Sequence, residues 1–302
     1  MTRRLLSLFL CVLFVFGFSA QAFADFDWTD YNDDYYYEVD DDDFDEDWYE
    51  LENGYDAEDY CEMVNDVLSS MESVNQNCTG GMQMQANGVY RLVEMLALIA
   101  GRVSQSDDTT EEIKDVLDEW DRTNDQAGSA TEQVINGAYR CFDLLSLIAW
   151  EMDENDDFAD DISKASDDFA IGSNSSQTAD EVLTNAFMSC AQLLYIIAQE
   201  NSTSSDRSDK VNSTFDFMYD TDRTLNSEIS RQLNAANCMF AFLYHICQEL
   251  DKTDSRDWTN TARDLYNDNS EFSKDLTNID ERIGYMLQSC VEMAAIFACE
   301  LA

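Results

Sequence analysis

Five acids, Asp41, Asp43, Asp45, Asp47 and Glu52, stand at the first, third, fifth, seventh and twelfth places of one twelve-residue window. That is the order in which a calcium-binding loop presents its oxygen ligands. The sixth place, where such a loop needs glycine for its sharp turn, holds Glu46. The chemistry expected there is loose divalent binding, with calcium the only ion in prospect and no other cofactor. His245 is the sole histidine. Its place is taken by Leu98, Leu147 and Ile196 at multiples of 49 residues upstream, so it stands where an apolar core residue belongs. A lone imidazole lacks a second histidine for a metal site, and the expectation is a hydrogen-bonded or edge histidine. Asn87, Asn136, Asn185 and Asn234 recur at the same spacing. They are candidate core polar positions, expected to form a hydrogen-bonded ladder between repeats that fixes register.

Cysteine offers less. Cys61, Cys78, Cys141, Cys190, Cys238, Cys247, Cys290 and Cys299 remain once Cys11 leaves with the N-terminal segment. Cys141, Cys190 and Cys290 occupy one repeated position. Equal positions on stacked helices lie roughly 9–10 Å apart, too far for a disulfide. No pairing is preferred, and no C-x-x-C or zinc spacing occurs. Glu151, Glu200, Glu249 and Glu300 recur near helix ends, where the helix dipole disfavours them. A cation or an arginine of the next repeat is their expected partner. No nucleophile elbow, phosphate loop, dinucleotide fingerprint or H-E-x-x-H is present, so no catalytic residue is assigned and an enzyme is not expected.

Charge narrows the partners. The chain of 302 residues carries a formal charge of −46, with no proline and 10 glycines. Between Arg4 and Arg91 there is neither lysine nor arginine. Such a surface repels nucleic acid and anionic lipid and attracts basic proteins and cations. Arg3 and Arg4 precede the apolar run Leu5–Phe18, and Ala22-Phe23-Ala24 follows. Residues 1–24 therefore read as a signal peptide, giving an exported protein, periplasmic or extracellular, without a membrane span. Residues 25–56 alternate acids with aromatics and have almost no aliphatic residue. Mutual repulsion and the absence of an apolar face predict a disordered tail. Trp28, Tyr31, Trp48 and Tyr49 are its partner-binding candidates.

What positions the rest is a repeat. Sliding by 49 from Leu96 gives Leu145, Leu194 and Leu243, and from Ile99 gives Ile148, Ile197 and Ile246. A fifth copy, shifted by about two residues, runs to Ala302. The spacing predicts an all-α domain over 57–302, in five units of about 57–103, 104–152, 153–201, 202–251 and 252–302. Each unit reads as a short amphipathic helix followed by a long apolar one. Ser129 with Glu132 and Thr178 with Glu181 predict N-terminal capping boxes; Ser227, and then Thr277 with Asp280, continue the series. The long helices are expected near 81–103, 129–152, 178–200, 227–250 and 277–301. Five stacked hairpins make an α-solenoid or a compact helical array, and equal positions favour the solenoid.

The leading functional expectation is an exported acidic scaffold that binds a basic protein or peptide. A divalent-cation binder using the tail and acidic faces is one alternative. A carrier of an apolar ligand between the long helices is another. The sequence sets no oligomeric state.

Overall fold

Among the described residues ten helices carry the hydrophobic periodicities of the repeat. The computed structural model describes residues 57–104, 107–153, 157–250 and 258–301. The outer helices are α1 (Ala57–Asn75), α3 (Asp107–Asp125), α5 (Ala159–Ser175), α7 (Ser205–Asp222) and α9 (Trp258–Phe272). The inner ones are α2 (Gly81–Val103), α4 (Ala130–Met152), α6 (Ala179–Glu200), α8 (Glu228–Leu250) and α10 (Ile279–Leu301). Residues 1–24 and the acidic segment 25–56 lie outside the described residues, and with them Trp28, Tyr31, Trp48, Tyr49 and the acids from Asp41 to Glu52.

Local chemistry sets the helix starts. Ser129 Oγ accepts from the Glu132 backbone N–H at 3.3 Å. Thr178 forms a complete capping box with Glu181, satisfying donors that the first helical turn leaves free. In the last unit the cap is Asn278, whose Oδ1 accepts from the Asp280 N–H at 3.0 Å, and not Thr277 as expected. The two-residue shift of that unit moves the equivalent position from 276 to 278. Burial then selects the faces. Val64, Val67 and Met71 on α1, and Ile113, Leu117 and Trp120 on α3, point into the core. Leu96, Leu145, Leu194 and Leu243 are all at most 2% exposed, and each contributes about 1.5–3 kcal/mol by leaving water. Among the described residues α6 alone is long and apolar enough to cross a membrane, and 67% of its apolar window is buried within the protein.

The inner helices touch in the order α2, α4, α6, α8, α10, and α10 then packs on α2 more extensively than any other pair. The open solenoid favoured by equal positions is therefore corrected to a closed ring of five parallel inner helices. The closing seam is made by small residues. A Cβ on Gly88 would lie 2.9 Å from the Leu287 Cβ, and one on Gly284 would lie 2.7 Å from the Met84 Cβ. Two parallel backbones approach that closely only where a side chain is missing. Polar bonds fasten the same seam. Gln85 Nε2 donates to Asp280 O at 3.1 Å, Gln288 Nε2 to Asn75 Oδ1 at 2.7 Å, and Arg102 Nε to Leu301 O at 2.9 Å. Each outer helix covers the furrow between its own inner helix and the preceding one, with α1 lying over α2 and α10.

Candidate functional site

A groove of about 550 Å³ opens between the third and fourth hairpins. Its floor is one stripe of α6: Glu181, Thr184, Asn185, Met188, Ser189 and Gln192, spaced so that all fall on a single helical face. Asp168 and Gly172 of α5 form one wall. Tyr219 and Asp222 of α7, with Glu228 and Arg231 of α8, form the other. Four carboxylates thus surround one guanidinium.

Those charges differ in how far they are already engaged. Arg231 is held by both oxygens of Asp222, at 2.8 and 3.1 Å, and by both of Glu228, at 2.9 and 3.0 Å. The Asp222 hydrogen bond, followed by that of Glu228, raises the Arg231 pKa above its ordinary value. Glu181 is spent on the cap, accepting from the Gln177 N–H at 2.6 Å. Asp168 is exposed and makes no hydrogen bond or ion pair with any described residue. It faces Tyr219, whose hydroxyl pKa is raised first by burial and then by Asp168 and Asp222. Ser189 is only 5% exposed, and its hydroxyl likewise has no described partner. The wall depends on Gly172: a Cβ there would sit 1.9 Å from Asn185 Oδ1.

The repeated asparagines do not form a ladder between units. Each donates to a backbone carbonyl of the outer helix in its own hairpin. Asn87 bonds to Met71 O at 3.0 Å, Asn136 to Thr123 O at 2.9 Å, Asn185 to Phe169 O at 3.2 Å and Asn234 to Met218 O at 2.9 Å. The reason is direction: the side chains leave the inner helix outward, toward the C-terminal turns of the outer helix of the same hairpin. In the fifth unit Tyr285 takes this place, and its hydroxyl donates to Asn269 Oδ1 at 2.9 Å. Two of the recurring glutamates also serve their own hairpins. Glu249 accepts from Thr203 Oγ1 at 2.6 Å and pairs with Arg207 at 3.0 Å. Thr109 donates to Glu151.

His245 is half-buried beside α7, its Nε2 3.0 Å from Thr214 Oγ1. Burial first, then Arg207 and Lys210, pull its pKa down to about 4. Glu292 shows the opposite case. Burial pushes its carboxyl up to about 7, against a hydrogen bond from Asn269, with Glu72 adding repulsion. Asn269 Nδ2 reaches Glu292 Oε2 and Ser289 Oγ, each at 2.9 Å. Cys78, Cys141, Cys190, Cys238, Cys247 and Cys290 are free thiols. Cys190 Sγ lies 3.7 Å from Ala138 O and Cys290 Sγ 3.8 Å from Ala236 O, each on the neighbouring inner helix. Burial pushes the Cys238 thiol up to about 12, which leaves almost no thiolate at neutral pH. Among the described residues no three His, Cys, Asp or Glu side chains gather to hold a metal ion.

No family model, curated protein or solved structure matches the chain.

What the groove can do therefore follows from its own chemistry. It offers carboxylates and neutral acceptors, with one aromatic ring and one thioether, to a ligand that brings donors and positive charge. Glu181 and Asn185 stand out in the sequence only as a cap and a core polar position, and the other residues that make the groove carry no motif. The signal that points to them is the departure of positions 188 and 189 from the residues that fill them in units one and two.

Proposed function

We propose that the chain is an exported interaction protein that presents an acidic surface to a basic protein or peptide and has no catalytic activity of its own. The observation that carries this reading is the groove between the third and fourth hairpins, where four carboxylates face a single arginine on a chain of formal charge −46. Such a site lowers the free energy of a cation at its surface and raises that of an anion. Five tandem copies of one hairpin serve as a rigid frame for it. The segment 25–56 adds range through its acids and grip through Trp28, Tyr31, Trp48 and Tyr49. Arg3, Arg4 and the apolar run after them provide the route of export.

The test is a titration of the chain lacking residues 1–24 with a fluorescent peptide rich in arginine and lysine, over a range of salt. Binding is expected to weaken steeply as the screening length falls from about 30 Å at 0.01 M to about 8 Å at 0.15 M salt. A neutral peptide of the same length is expected to stay unbound. Equal binding of both peptides, or binding indifferent to salt, would overturn the reading.

A further inference from the structure

The groove occupies a position that the first two hairpins fill from within. Ser189 stands 49 residues after Arg140 and 98 after Arg91. Arg91 is 5% exposed. Its guanidinium lies 4.7 Å from the centre of the Tyr90 ring and donates to both oxygens of Glu94, at 2.7 and 2.8 Å. Arg140 pairs with Asp143 at 3.2 Å. The same junction is plugged by aromatic pairs in those units. The Tyr90 and Trp120 rings are 4.4 Å apart, and Tyr139 and Phe169 are 5.1 Å apart.

Stepping on by 49 turns both members of the pair into methionines, Met188 and Met218, and the arginine into Ser189. The space changes accordingly. Between the first and second hairpins only about 20 Å³ remains beside Asn87, Tyr90 and Asn124. Beside the equivalent Asn185, Met188 and Asp222 the volume is about 550 Å³. Carboxylates persist at its rim while the internal guanidinium is gone. Ser189, a residue only 5% exposed on the groove-facing stripe of α6, has a hydroxyl without a described partner.

We propose that this groove receives a guanidinium from outside the chain: an arginine side chain of the basic partner enters where units one and two carry Arg91 and Arg140. This rests on the reading of the chain as an acidic binder and names the residue it recognises. Asp168 supplies the unengaged carboxylate, Ser189 and Gln192 accept from the remaining N–H groups, and Tyr219 offers a ring face nearby. A planar fork of five donors satisfies several fixed acceptors at once, whereas an ammonium meets them as a point charge. Ile171 lies one helical turn from Asp168 on the same side of α5 and is 66% exposed. It is suited to an apolar residue next to the partner's arginine.

The experiment uses the chain lacking residues 1–24 and three blocked tripeptides, Gly-Arg-Gly, Gly-Lys-Gly and Gly-citrulline-Gly, followed by NMR shifts. The arginine peptide is expected to move signals of α5, α6 and α7 and to bind about tenfold tighter than the lysine peptide. Citrulline, isosteric but uncharged, is expected to leave them in place. Ser189→Arg restores the internal guanidinium and is expected to abolish the response. Should that variant fail to fold, Asp168→Asn, at an exposed position, is expected to weaken binding about threefold to tenfold with an unchanged melting temperature. Equal binding of lysine and arginine, or of wild type and Asp168→Asn, overturns the proposal. The long basic peptide of the preceding test separates the two readings. If it still binds in a salt-sensitive manner while the arginine tripeptide does not, the acidic surface stands and the groove assignment fails. If neither binds, both fail.

Discussion

Replacing Glu292 by glutamine is expected to stabilise the protein at neutral pH and to alter how its stability varies with pH. An ordinary glutamate titrates near 4.5, and burial brings Glu292 to about 7. Between those values the folded chain holds a proton that the unfolded chain has released. Stability contributed by this group is therefore complete below about pH 4.5 and is lost as pH rises through about 7. At 1.36 kcal/mol per pH unit the gap sets a ceiling of about 3.4 kcal/mol. Because the residue is only partly buried, water relaxes this to about 2 kcal/mol. Glutamine keeps an oxygen for the Asn269 donor and carries no charge, so above neutrality Glu292→Gln gains that amount.

His245 acts with the opposite sign. Its pKa falls from 6.5 to about 4, so its contribution is present above about pH 6.5 and is lost as pH falls through about 4. The two windows overlap with opposite slopes, and the parent protein is expected to be flatter across them than Glu292→Gln, in which the His245 effect stands alone. Urea unfolding from about pH 4.5 to about pH 8 at fixed ionic strength reads both effects, and subtracting the parent curve removes the acids common to all variants. A Glu292→Gln curve parallel to that of the parent would falsify the assignment of a buried, proton-holding carboxyl.

Three further outcomes test the packing. Leu194→Ala, at a site 2% exposed, is expected to cost about 2–5 kcal/mol in chemical unfolding; a neutral result would mean that the inner helices are not packed as described. Gly284→Ala should destabilise by about 1–3 kcal/mol, although helix propensity alone favours alanine by about 1 kcal/mol. Gly80, with nothing within 4 Å of its missing Cβ, is the control, and equal effects at the two glycines would count against the α2–α10 seam. Gly172→Ala should cost about 1–3 kcal/mol by turning Asn185 from its bond to Phe169 O. Combined with Asn185→Ala, it should cost less than the two single changes together, and strict additivity would show that the two sites are not coupled.

The elements were legible because the signals for them are local. A box such as Thr178 with Glu181 starts a helix through bonds within four residues, and the inner helices begin within two residues of the expected places. Trp120, Val64 and Leu194 are buried as their spacing predicts, because one face of each helix has to leave water. Ring closure was not legible. Equal positions imply equal neighbours, but the turn from one unit to the next is set by side-chain volumes at every interface, and periodicity does not encode it. The clue lay in Gly88 and Gly284, which sit on the first and last inner helices. The asparagines showed where a polar group is needed but not which way it points, so a bond within the hairpin was mistaken for one between hairpins. The groove arises from an absence, an arginine and an aromatic residue missing from the third unit and an aromatic residue missing from the fourth, and chemical motifs do not register what is missing.

A closed ring makes the order of its parts along the chain unimportant to the neighbours each part has. In an open row the two end units have one neighbour each and fray first. Here α2 rests on α10 as α4 rests on α2, and the start of α1 lies near the end of α10, since Tyr60 feels Cys299 and bonds to Leu98 O at 3.1 Å. A covalent link across that short gap, with the chain cut instead between α4 and α5, leaves every interface in place. Removing one hairpin does not. Four units would each have to turn through a quarter of a circle instead of a fifth, and every interface would have to be rebuilt together. The fold therefore tolerates permutation of its units and resists any change in their number.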